Sequence, residues 1–334
     1  MPAVTLIPGD GVGPEVASAA RSVIDHVVNG IDWEVVDAGA EAFRRTGRAV
    51  PDRVVESLAR TRVGLKGPMT VPDSGYSSPN TEIRERMGLW CNMRRATSFG
   101  GGAADFTGTD VLVVRDVTED LGRGVSQHVG PDAGVALKVV TRLAAHRLAE
   151  FAFTYAAAQG ISQITIPHQA PTNRSTDGLF VSEVMDVASR HPGLTVTDEA
   201  MDVVCMHLCM HPQRYQMLLC QNFYGGILTG LCSGLVGGVG LIPGVNLDDR
   251  GTAVFEAGHG SAPKYAGLDK VNPTGLILSG ALLLEHIGEF DAARAVQTAV
   301  RTVLADGQNV TYDQGGSASL SDFTQAVVRA IDKS

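Results

Sequence analysis

The chain opens with a short apolar run, Val4-Thr5-Leu6-Ile7, followed at once by Gly9-Asp10-Gly11-Val12-Gly13-Pro14 and then by an amphipathic stretch over residues 14–28. Short apolar segments continue to alternate with longer amphipathic ones. That succession restricts the chain to an α/β architecture, in which helices cross between strands of a largely parallel sheet. Further strands are expected over 63–65, 111–114, 164–166, 194–196 and 217–219, and helices over 139–159, 180–190, 200–210 and 272–287. A length of 334 residues suits one large or two ordinary domains. No internal repeat or Pro/Ser-rich linker divides it, so two domains would require the chain to pass back and forth between them.

Charge excludes some partners. With 27 Lys+Arg against 36 Asp+Glu the net charge is −9, which argues against a nucleic-acid footprint. The first residues lack a basic region and meet Pro8 early, unlike a secretory leader, so a cytoplasmic location is expected. The five cysteines follow no framework spacing, which fits reduced thiols. Residues 224–247 carry no charge, but their eight glycines and one proline point to a buried helix and a glycine-rich turn, so no membrane span is expected.

Glycine is in excess: 39 are present, where the usual ~7% would give roughly 23. Three lie in the Gly9–Pro14 turn, whose G-x-G-x-G spacing departs from the dinucleotide fingerprint and suits a tight strand-to-helix turn near a ligand. Cys205, His207, Cys209 and His211 alternate, but on a helix the cysteine and histidine pairs point about 200° apart. A packing face of Cys205, Leu208 and Cys209 is expected instead of a zinc site. Arg84, Arg94, Arg95 and Arg115 offer forked donors suited to carboxylates. The run from Glu256 to Gly267 mixes glycines with His259, Lys264 and Tyr265, a composition able to wrap a nucleotide.

Read in order, IPGDGVGPEV at 7–16, KGPMTVP at 66–72, LWCNMR at 89–94, VVRDVTED at 113–120, TDGLF at 176–180, LVGGVGLIPGVNL at 235–247 and HGSAPKYAGLDKVNP at 259–273 resemble the isocitrate/isopropylmalate dehydrogenase family. These are β-decarboxylating 2-hydroxyacid dehydrogenases, and the likeness covers nearly the whole chain. It implies a two-domain α/β fold with a cleft between the domains. Residues 1–98 plus 250–334 would form the large cofactor-binding domain, and 99–249 a small domain with the dimer interface of a homodimer. Arg84, Arg94 and Arg115 would hold the carboxylates of a di- or tricarboxylate substrate, with Ser78 and Asn80 matching the Ser-x-Asn that isocitrate enzymes use. Glu256, His259, Gly260, Ser261, Ala262, Lys264, Tyr265, Asn272 and Tyr312 would hold the cofactor. Lys264 and Tyr265 stand where NAD-using members carry an acidic residue, so NADP is expected, with NAD the alternative. The arginine that NADP-using members place four residues after Tyr312 is Gly316 here.

The chemical positions depart from the family pattern. Of three metal-binding aspartates only Asp202 remains, the other two positions being Gly226 and Gly230. The catalytic lysine of His-Lys-Ala-Asn is Gln169 in His168-Gln169-Ala170-Pro171, and the proton-donating tyrosine is Gly122. No divalent metal is therefore expected. The resemblance leaves a metal-independent oxidoreductase using Lys66, His168 and Asp202, with Arg174 nearby, as the leading reading. A non-catalytic binding or regulatory subunit, and conventional oxidative decarboxylation by substitute residues, are the alternatives.

Overall fold

The computed structural model describes residues 2–72, 76–100 and 106–333. In chain order its strands are β1 (Ala3–Ile7), β2 (Asp32–Val35), β3 (Val63–Lys66), β4 (Cys91–Thr97), β5 (Asp110–Asp116), β6 (Ser126–Val129), β7 (Ala133–Ala136), β8 (Gln163–His168), β9 (Thr195–Ala200), β10 (Met217–Cys220), β11 (Pro243–Leu247) and β12 (Ala253–Ala257). The helices are α1 (Gly13–Val27), α2 (Ala40–Thr46), α3 (Asp52–Thr61), α4 (Pro79–Met87), α5 (Arg142–Ala158), α6 (Asp177–Ala188), α7 (Met201–Met210), α8 (Asn222–Leu235), α9 (Thr274–His286), α10 (Phe290–Asp306) and α11 (Leu320–Ile331).

Two compact units result. The first takes residues 1–89, 97–107 and 236–334, the second 90–96 and 108–235. Residues 236–249 belong to the first because β11 pairs antiparallel with β12 along its whole length, from Pro243 opposite Ala257 to Leu247 opposite Ala253.

In the first unit the strand order is β2-β1-β3-β12-β11, with β1, β2, β3 and β12 parallel. Val63–Lys66 is buried at every position, as befits a central strand covered on both faces. Helix α9 is buried almost all round and packs on α1 and α10. Helix α1 begins with Pro14 in its first turn and turns Val16, Ala20, Val23 and Ile24 inward at helical spacing. Val54, Leu58, Met69, Ile83 and Met87 join Ile7 in a core under α3 and α4.

The second unit orders its strands β4-β5-β10-β8-β9. Helix α5 is capped by Thr141 Oγ1, which accepts from Ala144 N at 3.3 Å, so it starts later than the expected 139. Strand β9 runs on to Ala200, beyond the expected 196, because it pairs with β8 through His168 opposite Ala200. Strands β6 and β7 form a separate antiparallel hairpin exposed at every residue. The uncharged stretch is α8 followed by the Gly237-Gly238 turn, and among the described residues no helix is long and apolar enough to cross a membrane. The expected packing face of α7 needs one correction. Leu208 is buried and Cys205 half-buried, but Cys209 is exposed, because α7 lies at the surface beyond Leu208.

Candidate functional site

The nucleotide-type loop is built by contact with the first turn of the chain. Ser261 O accepts from Val12 N at 2.9 Å, and Ser261 Oγ is 2.6 Å from Thr70 Oγ1. A Cβ on Gly11 would lie 2.1 Å from Ser261 O, and its φ of +59° lies in the left-handed region, so only glycine fits. Asp10 accepts from Ala40 N, Glu41 N and Thr70 N. The Gly9–Pro14 turn therefore packs protein against protein instead of cradling phosphate. Beyond Ser261, Ala262 holds φ of +36° and starts a tight turn over Pro263–Tyr265, a strained conformation for a residue with a Cβ. Gly260 is exposed, and His259 Nδ1 lies 2.9 Å from Gly260 O.

Past this turn, Lys264, Tyr265 and Tyr312 come together. The two rings are 6.0 Å apart, and Lys264 Nζ lies 4.8 Å from the Tyr265 ring centre. A hydrogen bond from Tyr312, then the neighbouring Lys264 ammonium, hold the Tyr265 phenol below its ordinary value, while burial and Tyr265 raise that of Tyr312. Asn272 is not part of this surface. It is buried, its Nδ2 donates to Asp313 Oδ2 at 3.0 Å and its Oδ1 accepts from Thr274 N at 3.0 Å, so it fixes the start of α9.

Two further residues are likewise engaged within the protein. Glu256 on β12 is 2% exposed, and its carboxylate is bridged by Lys66 Nζ at 2.9 Å and Arg84 Nη2 at 3.2 Å. Arg84 Nε also donates to Asn246 Oδ1 at 2.8 Å. Glu256 is thus the shared counter-ion of buried Lys66, 3% exposed, and of part-buried Arg84. Asn246, which the spacing of charged residues did not single out, completes this group. At the start of α4, Ser78 is the N-cap residue with an unused hydroxyl, and Asn80 Oδ1 is buried with no partner. A half-turn of that amide presents a donor in its place. A buried polar atom left open beside a helix N-terminus fits a carboxylate ligand.

In the second unit, Arg94 is buried on β4, and Arg115 on β5 donates from Nε to Asn92 Oδ1 at 3.1 Å and from Nη1 to Asn222 O at 3.3 Å. Helix α8 passes Arg115 closely, since a Cβ on Gly225 would lie 2.7 Å from Arg115 Cβ. The position of the missing tyrosine is filled: a Cβ on Gly122 would lie 2.4 Å from Asn222 Nδ2, which donates to Glu119 O at 3.1 Å. His168 is a structural histidine. Its Nδ1 accepts from Ala170 N at 3.0 Å, which leaves Nε2 to donate to Asp198 Oδ2 at 3.0 Å. Beside it, buried Asp177 takes Lys138, Tyr224 Oη at 2.9 Å and Gln169 N at 2.7 Å. Burial and the Asp177 carboxylate push the Tyr224 phenol up to about 12, so it keeps its proton at neutral pH. Asp202 is exposed in the first turn of α7, and Arg174 is exposed as well.

These residues do not fit the family's divalent metal. Gly226 and Gly230 on α8 provide no donor, and among the described residues no group of three or more His, Cys, Asp or Glu is placed to hold an ion. They do fit a phosphorylated nucleotide, because exposed Lys264 and Tyr312 and half-buried Tyr265 form a donor set with no carboxylate paired to Lys264 among the described residues.

Comparison with known proteins gives the same frame. Residues 3–327 match the family model described as Isocitrate/isopropylmalate dehydrogenase. The chain is 37% identical over 332 residues to a regulatory subunit of the mitochondrial isocitrate dehydrogenase (NAD) of Dictyostelium discoideum, covering 99% of this chain and 92% of that protein. It is 37% identical to the alpha subunit of the human mitochondrial isocitrate dehydrogenase (NAD), covering 98% and 90%. Among solved structures, isocitrate dehydrogenase from Methylococcus capsulatus superposes with a TM-score of 0.95 at 37% identity, covering 99% of each chain.

Proposed function

The chain belongs to the isocitrate/isopropylmalate dehydrogenase family, and from that premise we propose that it is a binding member. On this reading it takes up a nicotinamide nucleotide and a di- or tricarboxylate but does not carry out metal-assisted oxidative decarboxylation. One observation carries the reading: apart from Asp202, which stands alone and exposed on α7, each group that would move a proton or hold a metal is either absent or already committed. Gly122, Gly226 and Gly230 bear no side chain, Lys66 is bound to Glu256, and both nitrogens of His168 are used. Glutamine at 169 cannot serve as a base near neutral pH. Among the relatives is a protein whose name describes it as regulatory, which supports the same reading.

The bound nucleotide would supply hydride acceptance. Lys264, Tyr265 and Tyr312 would hold it, with Gly260 exposing backbone. Although the relatives named above carry NAD in their names, an ammonium and two phenols at this surface suit the 2′-phosphate of NADP. Ser78 and Asn80 would hold a substrate carboxylate, and Arg84, Arg94 and Arg115 are proposed to complete its recognition. The quaternary state is proposed as a homodimer.

Calorimetric titration of the purified chain with NADPH, isocitrate and isopropylmalate, with and without Mg²⁺, tests this reading beside absorbance assays of hydride transfer. Binding unaffected by Mg²⁺ and without turnover is the expected result. Steady turnover by the homogeneous chain that survives EDTA would instead establish metal-independent hydride transfer. For that second reading Asp202, an exposed carboxylate, is the candidate base. Turnover abolished by EDTA would overturn both.

A further inference from the structure

A second cation stands beside the paired tyrosines, Lys270. Its Nζ lies 4.7 Å from the Tyr312 ring centre and 5.7 Å from that of Tyr265, so it meets both rings, while Lys264 Nζ lies 4.8 Å from the Tyr265 ring centre. Neither lysine forms an ion pair with a carboxylate among the described residues, and both are exposed. The carboxylate nearest in sequence to Tyr312, Asp313, is occupied: it accepts from Asn272 Nδ2 at 3.0 Å, Thr311 Oγ1 at 2.5 Å and Gln314 Nε2 at 3.2 Å. Two uncompensated ammonium groups and two phenols therefore share one surface, an arrangement in which mutual repulsion is relieved by a dianion.

Residue 316 is barred from contributing. A Cβ there would lie 2.0 Å from Val310 O and 2.7 Å from Val310 Cγ2, so the backbone itself excludes a side chain from that position. Any second cation has to come from elsewhere. Residue 270 provides it.

We infer that Lys270 is a specificity-determining residue, the second cation beside Lys264 of a subsite for the 2′-phosphate of an adenine dinucleotide at the Tyr265–Tyr312 pair. The inference rests on the NADP reading given above. Lys264 alone would supply one ammonium to a phosphate carrying close to two charges, whereas the pair matches it.

Calorimetric titration with 2′,5′-ADP and 5′-AMP as probes isolates the extra phosphate without catalysis. Wild type is expected to bind 2′,5′-ADP at least about tenfold more tightly than 5′-AMP. Lys270→Ala should lower that ratio about tenfold while leaving 5′-AMP affinity unchanged, and Lys270→Arg should recover most of it. An unchanged ratio in Lys270→Ala, with wild type still preferring 2′,5′-ADP, would overturn the role of Lys270 and leave the NADP reading standing. No preference in wild type would overturn the NADP reading itself, and this inference with it. Inorganic phosphate that competes with 2′,5′-ADP at equal affinity would mark a general anion site and also overturn the inference. Loss of 5′-AMP binding in Lys270→Ala would reveal a structural role instead.

Discussion

Gln221 carries an unpaired amide into the interior. It is 3% exposed, and neither Oε1 nor Nε2 has a hydrogen-bond partner. It lines a cavity of about 10 Å³ with Asp116, Phe180 and Asn222. Desolvation raises the carboxyl of Asp116 above its ordinary value despite donors from Thr118 and Glu119. Buried amide groups without partners cost roughly 1–3 kcal/mol. Gln221→Met, similar in length and apolar, is expected to raise unfolding free energy by about 1–2 kcal/mol in urea titration. A loss of stability would show that the amide is satisfied in solution. None of this was visible in sequence, where Gln221 is one polar residue between an apolar run and a glycine-rich one.

At the scale of elements, α8 separates glycines that packing requires from those it merely tolerates. A Cβ at Gly230 meets nothing within 4 Å, whereas one at Gly225 would press on Arg115 at 2.7 Å. Gly230→Ala is expected to stabilise by about 0.5–1 kcal/mol through helix propensity. Gly225→Ala should destabilise by about 1–3 kcal/mol through overpacking. Thermal unfolding followed by circular dichroism reads both, and a gain from Gly225→Ala would refute the close approach. The same helix illustrates what was legible. Its uncharged, glycine-rich sequence announced a helix and a turn, although the helix is buried on one face only and leaves Phe223 and Ile227 half exposed, and β3, β5, β8 and β10 were foreseen from compact apolar runs. Strand β2, Asp32-Trp33-Glu34-Val35, and strand β4, with Arg94 and Arg95, were not foreseen, because their charges are answered by residues far along the chain. Glu34, for example, accepts from Ser57 Oγ at 2.6 Å, and Arg95 Nε donates to Asp110 Oδ1 at 2.8 Å. The Lys66–Glu256–Arg84 group was hidden for the same reason. Its members were each picked out, but the separation of 172 residues from Arg84 to Glu256 conceals that they neutralise one another.

For the whole molecule, the informative surface lies on α7 and α8, which pack on each other and leave Met206, Met210, Phe223 and Ile227 about half exposed. Large apolar side chains left this open mark a contact surface, and the proposed homodimer gives them a partner of the same kind. Sedimentation equilibrium of wild type is expected to give twice the 35.1 kDa chain mass, and Ile227→Asp to give the monomer. A wild-type monomer at micromolar concentration would refute self-pairing and favour a partner of different sequence.

The first unit is assembled from both ends of the chain, whereas the second is drawn from its middle. Strand β3 gains its neighbour β12 only when residues 253–257 have been made, and Val12 finds Ser261 later still. During synthesis the interior of residues 1–89 must therefore wait, partly uncovered, while some 160 further residues leave the ribosome. Residues 108–235 are in that interval already able to form β5, β8, β9 and β10 with their helices. A ribosome stalled near residue 240 would carry a nascent chain whose protease-resistant portion is its middle, with its earliest-made segment still open to chaperones.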